Sequence, residues 1–287
     1  MKPRPCHVCG EAAKIHLEFH KGAYAIVRCE SCGLVYTNEI PSPAELDAIY
    51  GEAFFRVGQK FAAGPGSVGL INAADRVSRL LTLPAVGRTT WLDVGCATGD
   101  FLEAATGAGI AEARGIELSA FAVEKARARG FAVVQSDFAG AQVSPESCDV
   151  VTMWDYIEHV PDPAASLRKA FVALRSGGYL ALSTGDVSSL VARLTGRFWH
   201  LMIPPRHLYF FTPATLARLL TSAGFVGVGI ERPGKRVPLD FALWKTAVMI
   251  APPLSQTVLR AASGMGLGRL RPSVNLGDIM TVIARKP

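Results

Sequence analysis

The sequence predicts an α/β protein: a doubly wound, mostly parallel sheet of seven strands, preceded by a small ribbon that four cysteines hold around a metal. Three observations carry this. From Thr90 onward, short apolar runs alternate with amphipathic stretches of helical period. The first of those runs ends in a glycine-containing turn, DVGCATG from Asp93 to Gly99, that opens a helix. Two Cys-x2-Cys pairs, Cys6 with Cys9 and Cys29 with Cys32, stand ahead of them.

Composition bounds the rest. With 287 residues, 49% of them hydrophobic and 19% charged, the chain has material for one or two packed domains, and intrinsic disorder is excluded for its bulk. Thirty Lys and Arg against 24 Asp and Glu leave a formal charge of +6, spread along the chain. That permits an anionic partner without requiring one. The mean hydropathy of +0.26 raises the question of a membrane span. The longest stretches free of charge and histidine, Phe61–Ala74 and Thr246–Leu259, contain proline and fall short of the roughly 18 to 20 apolar residues a spanning helix needs. No span is expected. MKPRPCHVCG has no apolar signal region, so a cytoplasmic protein with reduced thiols is expected.

The cysteine spacing is the strongest local signal. Four thiolates satisfy a tetrahedral ion, and Gly10 and Gly33, each following a pair, let the backbone turn so that amides point at sulfur. Lys14–His20 and Tyr24–Arg28, around Lys21-Gly22, read as a hairpin. Residues 1–40 are therefore expected to form a ribbon with structural zinc on Cys6, Cys9, Cys29 and Cys32. An iron site would use the same ligands, and disulfides are disfavoured in a reducing compartment. Cys96 and Cys148 read as packing residues and His7 as an exposed neighbour. Residues 41–84 form a helical linker over the ligand face, with one helix from Ser42 or Pro43 to Tyr50, a loop over Phe61–Gly69 and a second helix at Leu70–Leu83.

Residues 85–287 form the main domain. Its strands are Thr90–Val94, Ala113–Ile116, Phe131–Gln135, Cys148–Trp154, Gly178–Ser183, Phe225–Glu231 and Ile279–Ala284. Helices fall at Asp100–Gly109, Ser119–Arg129, Pro163–Leu174 behind Asp162, and Pro213–Ala223, with Gly177-Gly178 ending the third. The last two strands, separated by a long excursion, suit an antiparallel edge. Glu117 ends the second strand, twenty-two residues after Gly95, where an acid accepts the hydroxyls of a ribose.

From Thr90 to about Gly185 the sequence resembles the class I S-adenosylmethionine-dependent methyltransferases. WLDVGCATGDF is similar to their first motif, and the resemblance implies S-adenosyl-L-methionine as cofactor. Asp93, Gly95 and Gly99 would then approach its methionine part, Glu117 its ribose, and Asp137 and Phe138 its adenine; Cys96, Ala97, Leu118 and Trp154 complete the expected lining. Ala97 departs from the family's usual glycine. NAD is the rival cofactor, but Asp93 before the turn suits a cationic aminoacyl group and would repel a pyrophosphate.

Trp154-Asp155-Tyr156-Ile157-Glu158-His159 follows the fourth strand, at the mouth of the ligand crevice. His159 and His207 are the candidate proton acceptors. The segment also resembles the ExxEH segment of ubiquinone-biosynthesis O-methyltransferases and small-RNA 2′-O-methyltransferases, which implies a possible second divalent cation near Asp155, Glu158, His159 and His207. Asp155 stands where that pattern has Glu. His200 is a weaker candidate, and Phe198, Trp199, Tyr209, Phe210 and Phe211 are divided between core and an apolar acceptor pocket. The apolar insertion over about 237–268, broken by Pro252-Pro253, can cap the acceptor, form a dimer contact or lie on a membrane.

Together these readings predict a small-molecule methyltransferase acting on a sugar, lipid or secondary metabolite, with O-methylation expected. The alternative is an RNA methyltransferase whose ribbon grips RNA, against which the ribbon's scarcity of Lys and Arg counts. A scaffold that only binds the cofactor is disfavoured by the joint presence of Asp93, Glu117 and Asp137. Sequence leaves the acceptor and the oligomeric state open.

Overall fold

The computed structural model describes residues 4–42, 45, 49 and 68–287. The ribbon pairs β1 (Ile15–Lys21) with β2 (Tyr24–Cys29) about Gly22, and β2 with β3 (Val35–Thr37). Gly10 and Gly33 close the two knuckles at φ +74° and +81°, a region L side chains resist, and donate their amides to the Cys6 and Cys29 carbonyls at 2.8 and 2.7 Å. These turns gather the four thiols. The Sγ atoms of Cys6 and Cys32 lie 3.5 Å apart, as do those of Cys9 and Cys29.

α1 covers Val68–Leu81, so Val68 and Gly69 are helical rather than loop. Of the helix expected up to residue 50, Glu45 and Ile49 are helical; residues 43, 44, 46–48 and 50, with the rest of the 61–69 loop, lie outside the described residues. Then come β4 (Thr90–Val94), α2 (Asp100–Gly107), β5 (Glu112–Glu117), α3 (Ala120–Ala128), β6 (Ala132–Gln135), β7 (Cys148–Trp154), α4 (Pro163–Ala173) and β8 (Leu174–Gly185). α4 starts where the Asp162 carboxylate accepts the Ala165 amide. It ends earlier than expected, because the chain turns extended at Leu174, and Gly177-Gly178 lie inside β8 rather than capping the helix. After α5 (Leu190–Thr195) and β9 (Tyr209–Phe210), a Thr212/Thr215 capping box opens α6 (Pro213–Ser222). The chain closes with β10 (Val226–Glu231), β11 (Lys235–Arg236), α7 (Leu239–Ile250), α8 (Ser255–Gly264), β12 (Ser273–Val274) and β13 (Ile279–Arg285). Pro252-Pro253 does separate two helices, and no helix among the described residues is long and apolar enough to cross a membrane.

The seven-stranded sheet runs β10-β13-β8-β7-β4-β5-β6, with β4 through β8 parallel. β13 is antiparallel to both β8 and β10. The antiparallel strand is therefore internal, and the edge belongs to β10. Burial explains the order: Met280, Val282 and Ala284 of β13 are shielded, whereas β10 alternates exposed and half-buried residues. Strand order reverses between β4 and β7, which places the ligand crevice beyond their carboxyl ends.

α1 and α2 cover one face around Trp91 and Phe101; α4 and α6 cover the other around Leu167 and Leu216. The ribbon packs into that second core, since Cys6, Cys29, Leu34 and Tyr36 share a buried cluster with Leu208, Tyr209 and Phe211. β9 pairs with β3 and completes the ribbon's sheet from far along the chain. His7 is correspondingly not a mere exposed neighbour. Its Nδ1 lies 3.4 Å from the Asp162 carboxylate and its ring meets Tyr209 edge-on.

Candidate active site

The turn after β4 is built for close approach. Gly95 sits at φ +76°, where a Cβ would come within 2.7 Å of the Tyr156 ring, and at Gly99, φ +91°, it would come within 2.8 Å of Phe131. Ala97 also takes a left-handed φ of +47°, at a cost of about 1–2 kcal/mol for an alanine, so the departure from glycine is carried as local strain. The Cys96 thiol turns inward against Gly115, leaving only main chain toward the crevice.

Two acids flank this turn. Asp93 is buried and accepts the Thr152 hydroxyl at 2.6 Å; burial pushes its carboxyl up to about 7, against the opposing pull of Thr152 and Arg76. A buried acid in this condition is matched by an incoming cation. The Glu117 carboxylate accepts the amides of Ala97 and Ser119 at 3.0 and 2.9 Å, one on each oxygen. Each oxygen keeps a second lone pair, and burial raises this carboxyl too. Leu118 beside it is 38% exposed, an apolar side chain with no core of its own. Asp137 is exposed and accepts the Gly140 amide, while the Phe138 ring is buried under Lys169 and can offer a ligand only its main chain.

Sequence reasoning passed over Arg76. Its guanidinium lies 4.4 Å over the Trp154 ring and reaches Asp155 and the Ser183 hydroxyl at 3.4 and 3.3 Å. Trp154 Nε1 is buried with no hydrogen-bond partner among the described residues. A cavity of about 150 Å³ opens there, lined by Arg76, Arg79, Trp154, Lys235 and Thr281. Only an arginine at helical spacing on α1 marked this residue, a signal shared by any surface helix.

Past β7 the chain turns through Asp155, at φ +50°. Its carboxylate faces Lys235 at 3.0 Å, Arg76 and Ser183, and those cations hold it well below the usual carboxylate range. Asp155 thus stands apart from the expected cation group, its charge already matched. Glu158, His159 and His207 do converge, with one ligand atom from each lying within 4.8 Å of the others. Glu158 is buried and its carboxyl is pushed up to about 8 by burial and by Asp155; its Oε2 has no partner among the described residues. His159 Nδ1 lies 2.8 Å from the Arg206 carbonyl, which assigns the proton to Nδ1 and the acceptor role to Nε2. The His207 ring meets it edge-on at 4.7 Å, and burial with the neighbouring His159 depresses its pKa to about 3. Burial lowers His159 as well, so both rings are neutral at pH 7. His200 instead sits 3.5 Å from the buried Asp278. Trp199, Tyr209, Phe210 and Phe211 are core, whereas Phe198 is 72% exposed.

A glycine turn flanked by two buried acids, at the switch point of a doubly wound sheet, belongs to a fold of the S-adenosylmethionine-dependent methyltransferase type. Solved structures share that fold. A methyltransferase from Thermotoga maritima, described as a possible histamine N-methyltransferase, superposes with a TM-score of 0.53 at 20% identity, covering 85% of this chain and 96% of its own. A methyltransferase from Archaeoglobus fulgidus gives 0.55 at 21%, covering 82% and 100%. A sequence profile described as a methyltransferase domain matches residues 71–229, and the chain belongs to that family. Among curated relatives, the ubiquinone biosynthesis O-methyltransferase of Thiobacillus denitrificans is 35% identical over 156 residues, 49% of this chain and 66% of the relative. That of Cupriavidus pinatubonensis is 33% identical over 146 residues, 46% and 58%. The chain spans under two thirds of the length of these relatives.

Proposed function

We propose that the protein is an S-adenosylmethionine-dependent O-methyltransferase acting on a small molecule. The observation that carries this is the convergence of His207 on the buried Glu158 and half-buried His159 of the segment that follows β7, beside the crevice at the strand ends. The relatives named for small-molecule O-methylation support the same reading. The residues fit the cofactor. Glu117 would accept its ribose hydroxyls, Asp137 and the Phe138 main chain would meet adenine, and Gly95 and Gly99 would admit the methionine portion. Asp93 and Arg76, opposite charges close enough to influence one another, suit the ammonium and carboxylate of a zwitterionic tail. Bound there, the cofactor supplies an electrophilic methyl group.

The chain's own part is to orient an acceptor hydroxyl and take its proton. His159 Nε2 would receive that proton, while the Arg206 carbonyl keeps the ring aimed through Nδ1. The partnerless Glu158 oxygen and two neutral imidazoles favour a second reading, in which Glu158, His159 and His207 hold a divalent cation that lowers the acceptor's pKa. An RNA acceptor has less support. The ribbon's inner side is spent on the main domain, and its outer side carries Glu18 and Glu30 beside His16 and Arg28. Methyl-labelled cofactor incubated with fractionated host extract is expected to label small molecules or lipids; label in RNA would overturn the proposal.

The ribbon thiols suit structural zinc. Their 3.5 Å spacings approach the roughly 3.8 Å edge of a tetrahedron with Zn–S near 2.3 Å, and no position is left open for substrate. Purified protein should hold about one zinc per chain. A fully folded, metal-free preparation would remove this assignment.

A further inference from the structure

We propose that the ribbon positions the Glu158, His159 and His207 group, with Arg4 as the coupling residue; the proposal rests on the reading of that group as the reacting centre. The connection runs through one peptide. The Leu208 carbonyl, next to His207, accepts the Thr37 amide of β3 at 2.9 Å, while the Leu208 amide donates to the Glu158 carbonyl at 2.8 Å. The loop carrying Glu158 and His159 and the loop that leads from His207 into β9 are therefore joined at Leu208, and the ribbon holds that joint from its other side.

Arg4 locks the arrangement. Its Nε and Nη2 donate to the Thr37 carbonyl at 3.0 and 2.8 Å, and its Nη1 donates to the Tyr209 hydroxyl at 2.7 Å. Tyr209 in turn donates to the Pro161 carbonyl at 2.7 Å, just beyond His159. The guanidinium also lies 4.7 and 4.9 Å from the ring centres of Tyr36 and Tyr209. One planar donor set thus ties the end of β3 to both sides of the histidine pair, a geometry lysine cannot reproduce. Among the described residues the glycine turn and Glu117 make no such link, so the coupling reaches the acceptor side of the crevice and not the cofactor side.

The test compares Arg4→Ala, Arg4→Lys and Tyr209→Phe in the full-length, zinc-loaded protein. Imidazole nitrogen NMR signals of His159 and His207 are expected to shift in Arg4→Ala and Tyr209→Phe and to return part of the way in Arg4→Lys. His7, against Tyr209, moves in any case and is not scored. Zinc content and S-adenosylhomocysteine affinity should stay within about twofold, while turnover falls about tenfold. Unchanged His159 and His207 signals would overturn the proposal, as would loss of zinc and cofactor affinity in parallel with turnover. Tyr209→Phe removes a single hydroxyl, so it keeps the test decisive where Arg4→Ala does not fold. A wild type that methylates nothing would sink the activity reading alone, because the ring signals still report the coupling.

Discussion

Replacing His159 with Ala is expected to lower turnover by about 10²- to 10⁴-fold while S-adenosylhomocysteine affinity stays within about twofold. The expectation follows from separation of duties. The His159 ring is anchored to Arg206 and packed on His207, neither of which belongs to the glycine turn, whereas Asp93 takes Thr152 of β7 as its partner and Glu117 takes the amides of Ala97 in the glycine turn and of Ser119 ahead of α3. Losing the ring should therefore remove the proton acceptor without disturbing the nucleoside pocket. Single-turnover methyl transfer alongside calorimetric titration with S-adenosylhomocysteine reads both quantities. Turnover within threefold of wild type would dismiss the base, and equal losses of turnover and affinity would make His159 a structural residue.

Glu117→Ala is expected to weaken S-adenosylhomocysteine binding by on the order of 100-fold or more. Two hydroxyls bonding to a buried carboxylate are worth roughly 1.5–3 kcal/mol each. The same substitution strips the Ala97 and Ser119 amides of their acceptors, so some of the loss comes through the turn itself. Glu117→Gln separates the contributions: it keeps one acceptor oxygen and should bind more tightly than the alanine variant. Affinity within threefold of wild type in Glu117→Ala would exclude the ribose role.

The residues proposed to line a nucleoside pocket could be grouped from the sequence because they are local. Asp93, Gly95 and Gly99 occupy seven consecutive residues, and Glu117 ends the next strand, so spacing alone places them at one end of the sheet. The cysteine knuckles are legible for the same reason, each being a short turn closed by its own glycine. The Glu158-His159 segment was visible as a polar stretch after a strand. Its partnership with His207, forty-eight residues later, rested on a resemblance until the fold brought the rings together.

Asp155 shows where local reading stops. Its position in the segment suggested a cation ligand, but Arg76 from α1 and Lys235 from β11 claim its charge, and neither lies near it in sequence. β9 is a two-residue strand with no periodicity to detect, yet it joins the ribbon to the segment that carries His207. The sequence placed β10 and β13 together at an antiparallel edge but not their order, because both are short apolar runs; that order depends on which of them the rest of the protein shields. Secondary elements, the glycine turns and the thiol quartet were written into the chain, because backbone sterics and hydrophobic period act between neighbours. The pairing of distant charges, the burial of the ribbon and the assembly of the histidine pair came from packing, whose energies depend on contacts that exist only once the layers have closed.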